Sequence, residues 1–438
     1  MVTPIKCTTV DTISVYEFIG KSTDKKPIAS NGSKFLEMDT GKEFFFDGDE
    51  KGWFILADKY LDYIEIETAP TKTSYYVGDA FDVTGAVIKA VYTDGSSQSV
   101  SNVQAEAPEK LALDSKVAVK YVENGRTRTA EVAIEIKSNE ANDKASFENI
   151  CQNGSSVVLN ADVSTTKQFT FTHDFELDLN GHKLTNTKAS GVMFNAEGCV
   201  LTIKGNGEID CRYRIGRAAN GGSVIIENGK FNSKDVAFEA VNEGSKIVFN
   251  DGEINAVEGG IIFPDIGSTV EVNGGHISVS DNFAFAGNGS QRAEGKENVQ
   301  NELIINDGVF EGNITSNGYE AIVVYVPNND KVTINGGKFI ANGGAGLVMR
   351  AGNVTINGGE IKASTGSHVP GYVGDNKTKM SASAVIYHET ADYPEKAGMS
   401  LVINGGIIKG ADYSVEILSN EETPNVTIKG GAFIPAIA

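Results

Sequence analysis

From residue 147 to residue 438, apolar and polar residues alternate in runs of three or four, and a Gly-containing corner closes each run. In VTINGGKF (332–339), Val332 and Ile334 alternate with Thr333 and Asn335, so one side of a strand is buried and the other is wet. A second short strand follows the corner (Lys338, Phe339, Ile340), and a third precedes the next copy, as in GLVM (346–349), AIVVYV (321–326) and AVIY (384–387). Copies start at 177, 201, 224, 247, 270, 303, 332, 354, 401 and 426, which gives a basic period of 22 to 25 residues interrupted by insertions. Self-similarity at this period is the signature of a solenoid. The leucine-rich alternative needs L-x-x-L-x-L-x-x-N, which is absent.

Three short strands and three bends per 22 residues make one triangular coil. Stacked coils pair each strand with its counterparts above and below at roughly 4.8 Å, which satisfies the backbone between coils. Read this way, residues 147–438 closely resemble the right-handed parallel β-helix of the pectate-lyase-like architecture, with about ten or more coils. That resemblance implies a fold and no chemistry, since the fold carries lyases, hydrolases, adhesins and inert shafts. Stacking also turns equivalent positions into columns. Lys183, Glu208, Lys230, Glu253 and His276 alternate in sign after the corner, and each exposed pair adds a few tenths of a kcal/mol at about the level of surface ion pairs. Asn250, Asn273, Asn306, Asn335, Asn357 and Asn404 form an outward amide column suited to a hydrogen-bonded ladder.

Upstream the pattern changes. Residues 1–60 read as a small β meander: KFLEMD, KEFFFD and WFIL are short strands joined by tight Gly turns. Residues 61–137 carry period-2 strands (IEIETA, FDVTGAVIKAVY, KVAVKYV, AEVAIEIK) separated by turns, a β-sandwich pattern. TSYYVGDAFDVTG (73–85) followed by VYTDGS (91–96) resembles the bacterial Ig-like domains of surface and phage proteins, which implies a spacer or contact module without catalytic residues. SNEANDKAS (138–146) reads as a linker. The fold class is therefore all-β in three parts, and 49 Gly against 10 Pro and 1 Trp fits strands and turns over helices.

Charge narrows the partners. A net charge of −20 argues against nucleic acid, whose phosphates need clustered Lys and Arg. No run of 18 apolar residues occurs, so no membrane span is expected, and the first twenty residues lack the n- and h-regions of a signal peptide. Cys7, Cys151, Cys199 and Cys211 lack metal-ligand spacing and are expected to be buried thiols. No cofactor and no metal site is expected. Glu208 with Asp210, Asp251 with Glu253, and Asp265 with Glu271 are possible carboxylate pairs for glycoside cleavage, yet each falls where the repeat places polar residues anyway. No catalytic residue is assigned.

Insertions at 288–301, 364–380 and 389–399 break the period, and loops on a rigid scaffold are where binding usually sits. His368, Tyr372, His388 and Tyr393 are the candidate ligand-binding residues there, because aromatic rings stack on sugar faces. At the other end, GKSTDKKPIASNGSKFLEMDTGKEFFFDGDEKGW (20–53) resembles a module at the start of virion structural proteins of tailed phages. It implies anchoring by the N-terminal part, with Phe35, Met38, Phe45 and Trp53 as candidate anchoring residues. The expected protein is a virion surface component, a head fibre or capsid decoration assembled in the host cytoplasm and displaying its β-helix to host-surface or mucosal glycans. Its expected partners are a capsid or baseplate protein, copies of itself as a homo-oligomer, and cell-surface carbohydrate. A tail-spike depolymerase and a bacterial surface adhesin are the alternatives.

Overall fold

The repeated corner has two distinct glycine requirements. A Cβ on the first glycine of the pair would strike the carbonyl oxygen of the coil beneath: Gly336 would meet that of Asn306 at 2.6 Å and Gly430 that of Asn404 at 2.7 Å. The second glycine turns the chain in the left-handed region, with φ of +91° at Gly337 and +89° at Gly359. One glycine serves close stacking and the other serves the bend.

These corners generate three parallel sheets in a computed structural model that describes residues 1–10, 13–55, 59–288, 299–313, 322–364, 372–373, 378–379, 381–388, 399–419 and 422–435. The chain forms two units, Met1–Ser138 and Asn139–Ala438. In the second unit, a first sheet of 12 strands, a second of 11 and a third of 10 are visited in rotation. This is the expected parallel β-helix. A twelve-strand stack at the usual interstrand spacing is about 50 Å tall. The interior is built from registered apolar columns, such as Ile209, Phe231, Ile254, Ile277 and Phe310 on the second sheet, all fully buried. Burying each such side chain contributes roughly 1.5–3 kcal/mol, so the stack is held by its core, with ladders and ion pairs as additions.

Two details of the expected repeat shift. The first copy registers two residues earlier: Phe175–Asp178, not the stretch starting at Leu177, pairs with Leu201–Lys204. The extra residues are absorbed by a corner in which Asn180 and Gly181 both have positive φ. Residues 138–146, expected as a linker, instead begin the β-helix. Glu140–Ala141 pairs in parallel with the next first-sheet strand, and Asp143 caps the helix Lys144–Asn153. Asp143 Oδ1 accepts the Ser146 N–H at 2.7 Å while the Ser146 hydroxyl receives the Asp143 N–H at 3.0 Å, a reciprocal box that starts a helix. Phe147, Ile150 and Cys151, spaced along one face, are buried.

In the first unit, the N-terminal region is not a three-strand meander. A hairpin of Thr3–Val10 and Ile13–Gly20 precedes the three expected strands, and Ile13–Gly20 pairs in parallel with Lys34–Glu37, so the chain crosses over between them. The sandwich region is largely as expected, but 81–85 is a turn region ending at Gly85 (φ +85°), and the strand it precedes is only Val87–Tyr92. Residues 1–60 and 61–137 both lie in the first compact unit. The buried guanidinium of Arg126 lies 4.3 Å from the Phe54 ring centre and 4.4 Å from that of Tyr60, and donates to Asp47 at 2.9 Å.

Candidate functional site

The outward face of the second sheet is polar and ordered by the same register that packs the core. Lys183, Glu208, Lys230, Glu253 and His276 stand in one column, as expected from the repeat. Lys183 Nζ donates to Glu208 at 3.1 Å, and Lys230 Nζ to Glu253 at 3.1 Å. Two residues on, Thr185, Asp210, Asn232, Asn255 and Ser278 form a parallel column. Along the next corner run Thr187, Arg212, Lys234, Val257 and Ser280. These last two columns, with Glu208 and the residues between them, line an open groove of about 660 Å³. That volume falls within the range of small-ligand sites.

The groove floor is held in place by its own hydrogen bonds. Asn232 Nδ2 donates to both Glu208 and Asp210 at 2.7 Å, and Asn255 Nδ2 donates to Asn232 Oδ1 at 3.1 Å and to Glu253 at 2.7 Å. Burial pushes the Asp210 carboxyl up, but hydrogen bonds from Lys183 and Asn232 outweigh it and hold Asp210 below the ordinary carboxylate range. Hydrogen bonds to Asp210 and Glu208 in turn raise the Lys183 ammonium. The floor therefore offers fixed carboxylate and amide oxygens, acceptors for sugar hydroxyls. Asp210 stays ionised at neutral pH and is no general acid. The other carboxylate pairs considered from the sequence are engaged separately: Asp251 by the Gly252 N–H, Glu253 by Lys230, Asp265 by Asn242 and Glu271 by Lys246. Among the described residues, no group of three or more His, Cys, Asp or Glu is placed to hold a metal ion.

One residue past the groove rim, Asp235, Glu258 and Asp281 follow at a spacing of 23 residues. Burial, with Asp235 beside it, raises the Glu258 carboxyl. Asp235 and the buried Glu239 are partnered across the third sheet by Arg214, at 3.3 and 2.6 Å, and Glu239 is also partnered by Arg217. The rim carboxylates could have been found from their recurrence at the coil period.

The ligand residues expected at the insertions fare differently. His368 and Tyr393 lie outside the described residues. Tyr372 belongs to a two-residue strand, Tyr372–Val373, paired antiparallel with Thr378–Lys379. His388 ends the third-sheet strand Val385–His388 and is buried, so it presents no surface for a ligand. What the third sheet does show is a change of character along its outward column. Asn195, Arg217 and Glu239 give way to Ile262, Ala286, Tyr325, Val348 and Ile386. The insertions at 288–301 and 389–399 follow two of these strands, and Ala286, Tyr325, Val348 and Ile386 are buried although they point away from the shaft core.

Of the anchoring residues, Phe35 is fully buried and meets Trp53 edge-on at 5.8 Å, while the Trp53 indole N–H donates to the Pro27 carbonyl at 2.6 Å. These two hold the module together. Phe45 is half-buried, and Met38 is exposed. All four cysteines are free; Cys151, Cys199 and Cys211 are buried as expected, whereas Cys7 is exposed.

Residues 68–142 match the family model of the bacterial Ig-like domain (group 3). The match supports the Ig-like reading of the sandwich and carries it into the strand that opens the β-helix. No curated protein matches the chain. No helix among the described residues is long and apolar enough to cross a membrane.

Proposed function

We propose that the β-helix is a glycan-binding shaft and that the groove on its second sheet is where the sugar lies. The observation that carries this reading is the pre-organised floor, in which Asn232 and Asn255 are fixed by Asp210, Glu208 and Glu253 and lie in register along the stack. Repeated amide and carboxylate groups at about 4.8 Å intervals suit a polymer with repeating hydroxyls, and groups already held in place lose little freedom on binding. The test is a glycan array with the full chain. Binding should be lost, by about tenfold or more, in Asn232→Ala/Asn255→Ala, given the usual worth of hydrogen bonds that include charged partners. An unchanged array would end the reading.

The chain is further proposed to be a virion surface protein of a tailed phage, a head fibre or capsid decoration that attaches through residues 1–60 and displays the shaft. Support comes from the resemblance of residues 20–53 to virion modules and from the order of module, Ig-like domain and β-helix along the chain. Immunogold labelling of purified particles tests it, and absence of the protein from them would refute it. A capsule-cleaving tail spike is the second reading, favoured by one observation, the raised Glu258 carboxyl beside Asp235 at the groove rim. New reducing ends on incubation with purified capsular polysaccharide, lost in Glu258→Gln, would select it.

A further inference from the structure

The groove contains two cations that pair with neither of its carboxylates, Glu208 and Asp210. Arg212 and Lys234 are exposed, stand on consecutive coils at the same corner, and have no ion-pair partner within 4.0 Å among the described residues. The other two lysines beside the groove are engaged: Lys183 by Glu208 and Asp210, and Lys230 by Glu253. The carboxylates nearest along the chain do not pair with Arg212 and Lys234 either: Asp210, two residues before Arg212, is held by Lys183 and Asn232. Asp235, which follows Lys234, faces Arg214 on the third sheet, and Glu239 is held between Arg214 and Arg217. On a chain with a net charge of −20, two adjacent unpaired cations inside a concave polar site form a local exception to the surrounding field.

We infer that the groove takes an acidic glycan, with a sugar carboxylate seated between Arg212 and Lys234 and the hydroxyls on the Asp210, Asn232 and Asn255 floor. The inference rests on the glycan-binding reading and specifies its ligand class. The geometry suits it. The two cations lie one coil apart, about 4.8 Å along the stack, so one carboxylate can receive charge-assisted hydrogen bonds from both side chains. The ionised Asp210 and the amide oxygens of the floor accept from neutral hydroxyls, and because both hydrogens of Asn232 Nδ2 and of Asn255 Nδ2 are already donated within the floor, it offers nothing to a second carboxylate. Charge readout is thus confined to one wall of the groove and hydroxyl readout to its floor.

The test uses the full chain and oligosaccharides of galacturonate, mannuronate and hyaluronan, each beside its methyl-esterified form, which keeps the hydroxyls and removes the charge. At least one acid form is expected to bind about tenfold or more tighter than its ester, the worth of a charge-assisted hydrogen bond. Its affinity should fall steeply with salt. Arg212→Gln/Lys234→Gln should bring the acid form down to the level of the ester and flatten the salt dependence, whereas Lys409→Gln, which removes a cation from the same sheet outside the groove, should leave acid binding intact. Esters that bind as tightly as the acids, or an acid preference that survives in the double variant, would overturn the inference and leave the glycan-binding reading standing. Failure of both forms of every oligosaccharide to bind, with an empty glycan array, would overturn both.

Discussion

Replacing Asn335 with Ala removes one rung of an amide ladder, and its effect can be worked out in advance. Six amides are joined head to tail: Asn273 donates to Asn250 at 2.9 Å, Asn306 to Asn273 at 2.7 Å, and Asn335 to Asn306, Asn357 to Asn335 and Asn404 to Asn357 at 2.8 Å each. Every Nδ2 points toward the N-terminal end of the stack, and the series ends where Asn250 donates to the Glu227 carboxylate at 3.0 Å. Asn335→Ala deletes two of these bonds. Each is exposed to solvent, so each belongs at the low end of roughly 0.5–1.5 kcal/mol, and the variant should lose about 1 kcal/mol. Asn335→Asp should lose at least as much, because it places a carboxylate oxygen against Asn306 Oδ1. Glu227→Gln keeps an acceptor at the ladder's end and should be nearly neutral. The assay is urea unfolding followed by far-UV circular dichroism, with fluorescence as an internal reference. The chain has 1 Trp, and Trp53 belongs to the first unit, so its emission midpoint should not move. Equal midpoints for Asn335→Ala and wild type, within about 0.3 kcal/mol, would refute the ladder as a source of stability.

Three further outcomes are expected. Glu239→Ala removes the carboxylate shared by Arg214 and Arg217 and should lower the stability of the second unit by about 3 kcal/mol, the low end for a broken buried pair because both arginines can regain water; thermal melts would measure it. Asp330 is buried with Oδ2 unpartnered among the described residues, and burial pushes its carboxyl up to about 7 despite the 2.9 Å bond from Asn301. Its folded-state pKa lies above the unfolded value near 3.9, so wild-type stability should fall as pH rises from about 4 to about 7, and Asp330→Asn should abolish that slope and stabilise the protein at pH 8 by a few kcal/mol. Hydrogen bonds to Asp210 and Glu208 raise Lys183, so its contribution is complete below the unfolded value near 10.4 and is lost as pH rises beyond it; Lys183→Met should flatten the alkaline limb of a stability–pH curve.

The corners were legible in the sequence because their physics is local. A glycine that must bend left and a glycine that must not carry a Cβ recur whatever the neighbouring side chains are, and Phe231 or Ile254 is inward wherever the alternation places it. The charge column and the amide ladder were legible for the same reason, since register converts period into contact. The helix at Lys144–Asn153 was missed because its stretch is short and polar, although Asp143 and Ser146 spell the cap. The parallel pairing of Ile13–Gly20 with Lys34–Glu37 depends on a crossover that no local pattern encodes. The groove was missed because it has no motif. It arises where two polar columns run side by side across successive coils, and only the register shows that Arg212 and Lys234 share a groove with Asn232 and Asn255.

The third sheet shows how the same architecture divides its surface. Along one outward column the side chains pass from Arg217 and Glu239, which pair with each other, to Ile262, Ala286, Tyr325, Val348 and Ile386. Parallel strands buried on both faces read as unbroken apolar runs, and IVVYV (322–326) and AGLVM (345–349) are such runs, buried at every position. The signal lay in the loss of alternation. The insertions at 288–301 and 389–399 follow third-sheet strands whose alternation has stopped, and the outward column of those coils is buried. The coils that keep strict alternation leave their second-sheet face open to solvent, and there the only constraints on outward side chains are register and water. A polar groove can be assembled on such a face column by column without disturbing the core. On that ground the proposed glycan recognition falls on the regular coils around Asn232, where the scaffold is already complete, and the irregular coils are first a packing problem for the fold itself.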